Sequence, residues 1–210
     1  MPPGLFIMLR RRMSAFRLRI RENTRFSYKV GLMTVTRTLV QTSCEPPLSS
    51  PPPLTRVNAD TGQTLRLSYT GTPLPADRES VYWLNVLEIP PIGEKGNNQI
   101  QVAFRSRIKL FFRPTSLDDK GAQASISKLR WQVQGNKISL SNPTSYYVSV
   151  VAVTLKHGDK KTSVPAGMLT PNGSAYFALP PGIPPDNVDR VTVDAINDYG
   201  ASVTEPVARL

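Results

Sequence analysis

The 210-residue chain has one cysteine, Cys44, and one histidine, His157. A lone cysteine closes no internal disulfide, and one histidine beside it leaves too few soft ligands for a transition-metal centre. Long apolar runs are also missing. The longest, such as Leu5 to Leu9, hold a few residues, against the roughly 20 that a helix needs to cross a bilayer. No membrane insertion is expected. Twenty prolines and 13 glycines without a collagen period leave little room for long helices, which excludes a helical bundle. Acids are in deficit: 15 against 26 Lys and Arg, for a net charge of +11. Seven arginines (Arg10, Arg11, Arg12, Arg17, Arg19, Arg21, Arg25) fall in the first 25 residues, opposed by Glu22 alone. Such an arm is compatible with nucleic-acid binding, but equally with a tail. It fails as a secretory signal, because its apolar stretch is short, the arginines follow it, and no small-residue cleavage site is clear.

What the sequence does contain is alternation. The run Pro46 to Pro53, five prolines in eight residues, cannot be a central strand. From Leu54 onward apolar residues recur at every second position: Leu65, Leu67 and Tyr69, then Val81 and Trp83 leading to Ile89, then Ile100, Val102, Phe104, Ser106, Ile108, Leu110 and Phe112. Arg105, Arg107, Lys109 and Arg113 occupy the other face of the last stretch. The polar segment Thr115 to Ser127 is expected to be a loop leading into a second domain. Beyond it, Leu129, Trp131 and Val133, a Gly135–Asn136 turn, Ile138 and Leu140, an Asn142–Pro143 turn and the run Tyr146 to Leu155 continue the pattern. Short strands between dense turn signals predict an all-β antiparallel sandwich.

Catalytic constellations are weak. His157 sits beside a hairpin turn followed by lysines and is read as a turn residue rather than part of a hydrolytic triad. Cys44 adjoins the proline run with no basic neighbour. Asp77 with Glu79, and Asp118 with Asp119, are acid pairs of the kind that turns expose to solvent. Gly158 to Thr162 lacks the ending of a phosphate loop, and the sequon Asn172-Gly173-Ser174 is first of all a turn. No enzyme is expected. The stretch Ile100 to Phe112 has two readings: a central sandwich strand, or an edge strand that lends its apolar row to another protein.

The run Gly62 to Gly71 (GQTLRLSYTG) and Leu74 to Val86 (LPADRESVYWLNV) resembles the periplasmic pilus chaperones of the chaperone/usher pathway. So do Glu88 to Pro91, Arg107 to Pro114 (RIKLFFRP), Asn142 to Tyr147 and Ile196 to Gly200 (INDYG). The resemblance covers Leu54 to the C-terminus. It implies two immunoglobulin-like β-sandwich domains, at 23–113 and 114–210, after a basic segment 1–22. It also implies a non-enzymatic, cofactor-free chaperone in the periplasm, with fimbrial subunits and the outer-membrane usher as partners and with no nucleic acid. In this picture Ile100, Val102 and Phe104 fill the groove left by a subunit's missing strand, each contributing about 1.5–3 kcal/mol when fully buried. Lys109 and, by similarity of Thr24 to Tyr28, Arg25 grip the subunit's terminal carboxylate. Glu79, Arg113 and Asp198 fall where the family places an ionic network between its domains, and the short connection Pro91 to Asn98 resembles a subgroup serving rod-forming fimbriae. Between Tyr28 and Leu39 there is too little sequence for the family's first two complete strands, although Leu39 to Thr42 resembles the end of the second, and Ser43 to Pro53 match no strand that should follow; the stretch 29–53 thus looks altered and the first sandwich is expected to be incomplete. Two alternatives stand beside the chaperone: an inactive, truncated family member, and a nucleic-acid-binding protein acting through Arg10 to Arg25.

Overall fold

Two turns show how the alternating pattern becomes sheet. Gly135 and Gly158, both at φ 57°, each open a two-residue connection between adjacent strands. The left-handed backbone that such hairpins demand is open to glycine without a Cβ penalty. In the computed structural model residues 6–10, 15–21, 28–36, 48–49, 55–57, 62–89, 100 and 104–210 are described. They form two compact units, one built on Leu9–Leu74 with Ser80–Phe112, the other on Met1–Met8, Pro75–Glu79 and Arg113–Leu210.

The first eight strands are β1 (Phe6–Arg10), β2 (Ala15–Arg21), β3 (Tyr28–Thr36), β4 (Leu48–Ser49), β5 (Thr55–Val57), β6 (Gly62–Tyr69), β7 (Ser80–Ile89) and β8 (Phe104–Arg113). They make a five-stranded sheet of order β1-β8-β7-β3-β5 and a three-stranded sheet of order β2-β6-β4. β7 and β8 pair antiparallel from Ser80 opposite Phe112 to Glu88 opposite Phe104. This register buries Tyr82, Leu84 and Val86 on one face with Ile108, Leu110 and Phe112. Tyr69 of β6 meets Phe112 of β8 with ring centroids 5.1 Å apart, and the Tyr69 hydroxyl donates to the Thr72 carbonyl.

Several expectations change here. The unmatched stretch 29–53 supplies most of β3, which pairs with both β5 and β7. It also supplies β4, whose two residues among the prolines sit at a sheet edge, where missing N–H donors cost least. Within the arginine-rich arm, 15–21 is a strand lying antiparallel to β6, with Leu18 opposite Leu65; charge alone concealed that alternation. β8 stands between β7 and the five-residue β1, so it is not an outermost strand along its whole length. Finally, the expected loop Thr115 to Ser127 contains a helix, α1 (Asp119–Ser125). Asp118 caps it, its side chain accepting from the Gly121 N–H at 2.7 Å. At seven residues, with Ala122 and Ser125 as its buried positions, it is too short for an apolar periodicity to announce it.

The second unit continues with β9 (Arg130–Gln134), β10 (Lys137–Ser141), β11 (Val148–His157), β12 (Lys160–Pro165), β13 (Met168–Leu169), β14 (Ser174–Ala178), β15 (Arg190–Ile196) and β16 (Ser202–Arg209). One layer runs β12-β11-β15-β16 with β13 on β11, the other β9-β10-β14. They join where Ala208 and Arg209 of β16 pair parallel with Arg130 and Trp131 of β9. Trp131 fixes this seam: its indole N–H donates to the Val207 carbonyl at 3.1 Å and its own carbonyl accepts from Leu210 at 2.8 Å. Between the layers Leu129, Trp131, Ile138 and Leu140 pack with Val153, Leu155, Val191 and Val193, all nearly inaccessible. The sequon residue Asn172 lies exposed in a turn at φ 52°.

Asn142, buried at 1% exposure, organises the loop before β11. Its amide donates to the carbonyls of Tyr146 (2.7 Å) and Thr170 (2.9 Å), and its oxygen accepts from the N–H and hydroxyl of Thr144 (3.1 and 2.6 Å). Asn142→Asp replaces the donating amide with a second acceptor facing two carbonyls. It is expected to cost about 2–4 kcal/mol, read as a lower denaturant midpoint, and no less than Asn142→Ala.

Candidate functional site

The antiparallel register places Glu79 and Arg113 side by side, one step beyond the last β7–β8 pair, Ser80 opposite Phe112. Both side chains are buried, at 3% and 1% exposure for Arg113 and Glu79. Arg113 uses all three guanidinium nitrogens: Nε to Glu79 Oε1 at 2.8 Å, Nη1 to Asp119 Oδ1 at 2.7 Å and Nη2 to Asp198 Oδ2 at 2.8 Å. The second Glu79 oxygen accepts from the Tyr147 N–H at 2.8 Å, and the Glu79 N–H donates to the Ser145 carbonyl at 3.0 Å. The Tyr146 ring lies over the guanidinium at 5.3 Å, while its hydroxyl accepts from the Asp118 N–H at 3.1 Å. Asp198 is presented by a turn in which Asn197 Oδ1 accepts from the N–H groups of Tyr199 and Ala201.

Glu79, Arg113 and Asp198 come together in one ion-pair cluster, with Asp119 as a further carboxylate. All of them belong to one compact unit, because the segment Pro75–Glu79 packs with Arg113–Leu210. The cluster is therefore a clasp of that unit, holding a segment from before β7 to the start of α1 and the β15–β16 turn. Two sequence expectations are corrected by it. Arg113 is not an exposed cation of the strand's second face, and Glu79 is not a solvated member of an acid pair, whereas its neighbour Asp77 is exposed.

Burial drives the Glu79 carboxyl above the ordinary value, and the Arg113 charge with the Tyr147 N–H only partly offsets this. For Arg113 burial acts downward, but Glu79 and Asp198 outweigh it and the net shift is upward. The group is chemically a structural lock: a permanently charged guanidinium faces three carboxylates. Among the described residues no group of three or more His, Cys, Asp or Glu is placed to hold a metal. Gly121 keeps the lock closed, since a Cβ there would lie 2.2 Å from the Tyr146 hydroxyl.

Lys109 sits on β8 directly opposite Trp83 of β7, half-buried, and burial lowers its pKa. Its Nζ is 5.5 Å from the Trp83 ring centroid, and Arg107 Cζ is 4.2 Å from the same ring. Trp83 and Arg107 lie in the alternating strands and in the motif runs, and the sequence assigns neither a role of its own. Ile100 is 94% exposed. The Phe104 backbone pairs opposite Glu88; the Phe104 side chain, Val102, Arg25 and Cys44 lie outside the described residues.

Arg113→Met leaves three carboxylates without their shared cation and is expected to destabilise the protein by about 3–5 kcal/mol at neutral pH. Losing the arginine raises the Glu79 pKa further. An acid with a raised folded-state pKa is penalised above that pKa and relieved as pH falls towards its unfolded value. The gap in Tm between wild type and Arg113→Met should therefore narrow on acidification from neutral pH towards the ordinary carboxylate range. Gly121→Ala should displace Tyr146 and lower Tm while leaving the charges in place.

Residues 7–118 match the family described as pili and flagellar-assembly chaperone, PapD N-terminal domain, and residues 124–207 match pili assembly chaperone PapD, C-terminal domain. The probable fimbrial chaperone YadV of Escherichia coli K12 is 39% identical over 173 residues, covering 78% of this chain and 70% of the relative. Chaperone protein MrkB of Klebsiella pneumoniae is 38% identical over 161 residues, covering 74% and 67%. The crystal structure of the Pseudomonas aeruginosa CupB2 chaperone superposes with a TM-score of 0.80 at 30% identity, over 97% of both chains. That of the YadV chaperone gives 0.77 at 30%, over 96% of this chain and 94% of the other. With both of its halves matched in order, this chain belongs to the PapD-like family of pili assembly chaperones.

Proposed function

We propose that this chain captures fimbrial subunits in the periplasm by lending them the leading edge of β8 and the residues before it, and hands them to the outer-membrane usher. The observation that carries this reading is the division of one apolar row. Ile108, Leu110 and Phe112 are buried in the chain's own core, while Ile100, in the same alternating phase, is 94% exposed. A row that continues past its own core offers apolar side chains at the two-residue spacing needed to fill successive pockets of a sheet lacking a strand, and the backbone supplies the ladder. Ile100, Val102 and Phe104 are the donor residues in this reading. Lys109, with Arg25, receives the subunit's terminal carboxylate through charge-assisted hydrogen bonds and so fixes the register. The names of the relatives, fimbrial chaperone and chaperone protein, support the subunit class. No catalysis or cofactor enters the mechanism.

The test is co-expression of the full chain, directed to the periplasm, with a fimbrial subunit from the same locus, followed by capture of the complex. Lys109→Ala should reduce captured subunit at least about tenfold, and Ile100→Asp should reduce it without lowering the Tm of the chaperone alone. Undiminished capture by both variants would overturn the reading.

A further inference from the structure

Trp83 carries two cations on one ring. Arg107 and Lys109 lie two residues apart on β8, so they project from the same face, and Trp83 stands across the ladder from Lys109. The Arg107 Cζ at 4.2 Å and the Lys109 Nζ at 5.5 Å from the ring centroid are within the range where the negative face of an indole attracts a cation. The indole has a cost here: its Nε1–H is buried without an acceptor among the described residues. An unmet buried donor disfavours the folded state, and a phenylalanine would remove it. Indole is also the strongest cation-binding ring among the aromatic side chains. The benefit that offsets the orphaned donor is therefore the ring face and the two charges gathered on it.

We infer that Trp83 is a positioning residue that holds Arg107 and Lys109 side by side as one anion-binding edge, with Arg107 a second cation facing a terminal carboxylate. This deepens the role given to Lys109 above and rests on it. The chemistry fits the ligand. Arg107 offers a planar fork matched to two carboxylate oxygens and Lys109 a compact charge, while the ring keeps two like charges close before the anion arrives. The half-buried setting of Lys109 strengthens its attraction for a carboxylate relative to a fully hydrated lysine.

The experiment measures binding of the full chain to a synthetic peptide of alternating apolar residues, made with a free C-terminal carboxylate and again as the carboxamide. Wild type should prefer the acid. Trp83→Phe and Arg107→Gln should each lower that preference roughly three- to tenfold, leaving amide affinity unchanged, and Trp83→Phe should hold or raise Tm. Arg107 is exposed, so its variant keeps the test open if Trp83→Phe folds poorly. Retained preference in both variants, or an equal loss of acid and amide binding, would overturn the inference. If Lys109→Ala still removes the preference in that case, only the Trp83–Arg107 assignment fails. If wild type shows no preference, or Lys109→Ala keeps it, the carboxylate reading of Lys109 fails with it.

Discussion

A buried guanidinium is the constraint around which the later unit is arranged. Removing such a charge from water costs several kcal/mol unless it is paired and hydrogen-bonded, and each of the three Arg113 nitrogens donates to a carboxylate from a separate segment. Each of those segments is fixed in turn by its own neighbours. Glu79 is held by the backbone at Ser145 and Tyr147, Asp119 by the capped start of α1, and Asp198 by the Asn197 turn. The loop carrying Tyr146 and Tyr147 is tied down by Asn142, so a neutral amide and a charged cluster stabilise the same stretch of backbone from two sides.

Strand β8 runs from the proposed donor residues to the buried arginine. Its final residue is the buried arginine, its middle supplies the core through Ile108, Leu110 and Phe112, and its early positions Arg105 to Arg107 are exposed. One strand with one alternation thus passes from a fixed end to an accessible end. Lys109 stands at the transition, half-buried beside Trp83.

Much of the strand pattern was legible because period two survives wherever one face is buried: β6 to β11 lie close to the alternating runs. Glu79, Arg113 and Asp198 were legible only through motif resemblance, since nothing in the charge pattern separates a buried arginine from the exposed ones at positions 105 and 107. Asp119 was missed because its partner is set by a helix cap, a local geometry that composition does not encode. α1 was missed for want of length. The strand at 15–21 was hidden by its arginines, whose charge drew attention away from Phe16, Leu18 and Ile20 between them. Trp83 fitted its strand so well that nothing marked its ring as a meeting point for cations.

The separations within the Arg113 cluster also bear on how the chain reaches its native state. Glu79 lies 34 residues before the arginine and Asp198 lies 85 after it, so the cluster closes large loops and its ordering entropy is repaid only when distant segments have already met. During synthesis Arg113 emerges long before Asp198 exists to receive it. Until the final hairpin arrives, the guanidinium is best left in water, and its burial marks the completion of the unit rather than its nucleation.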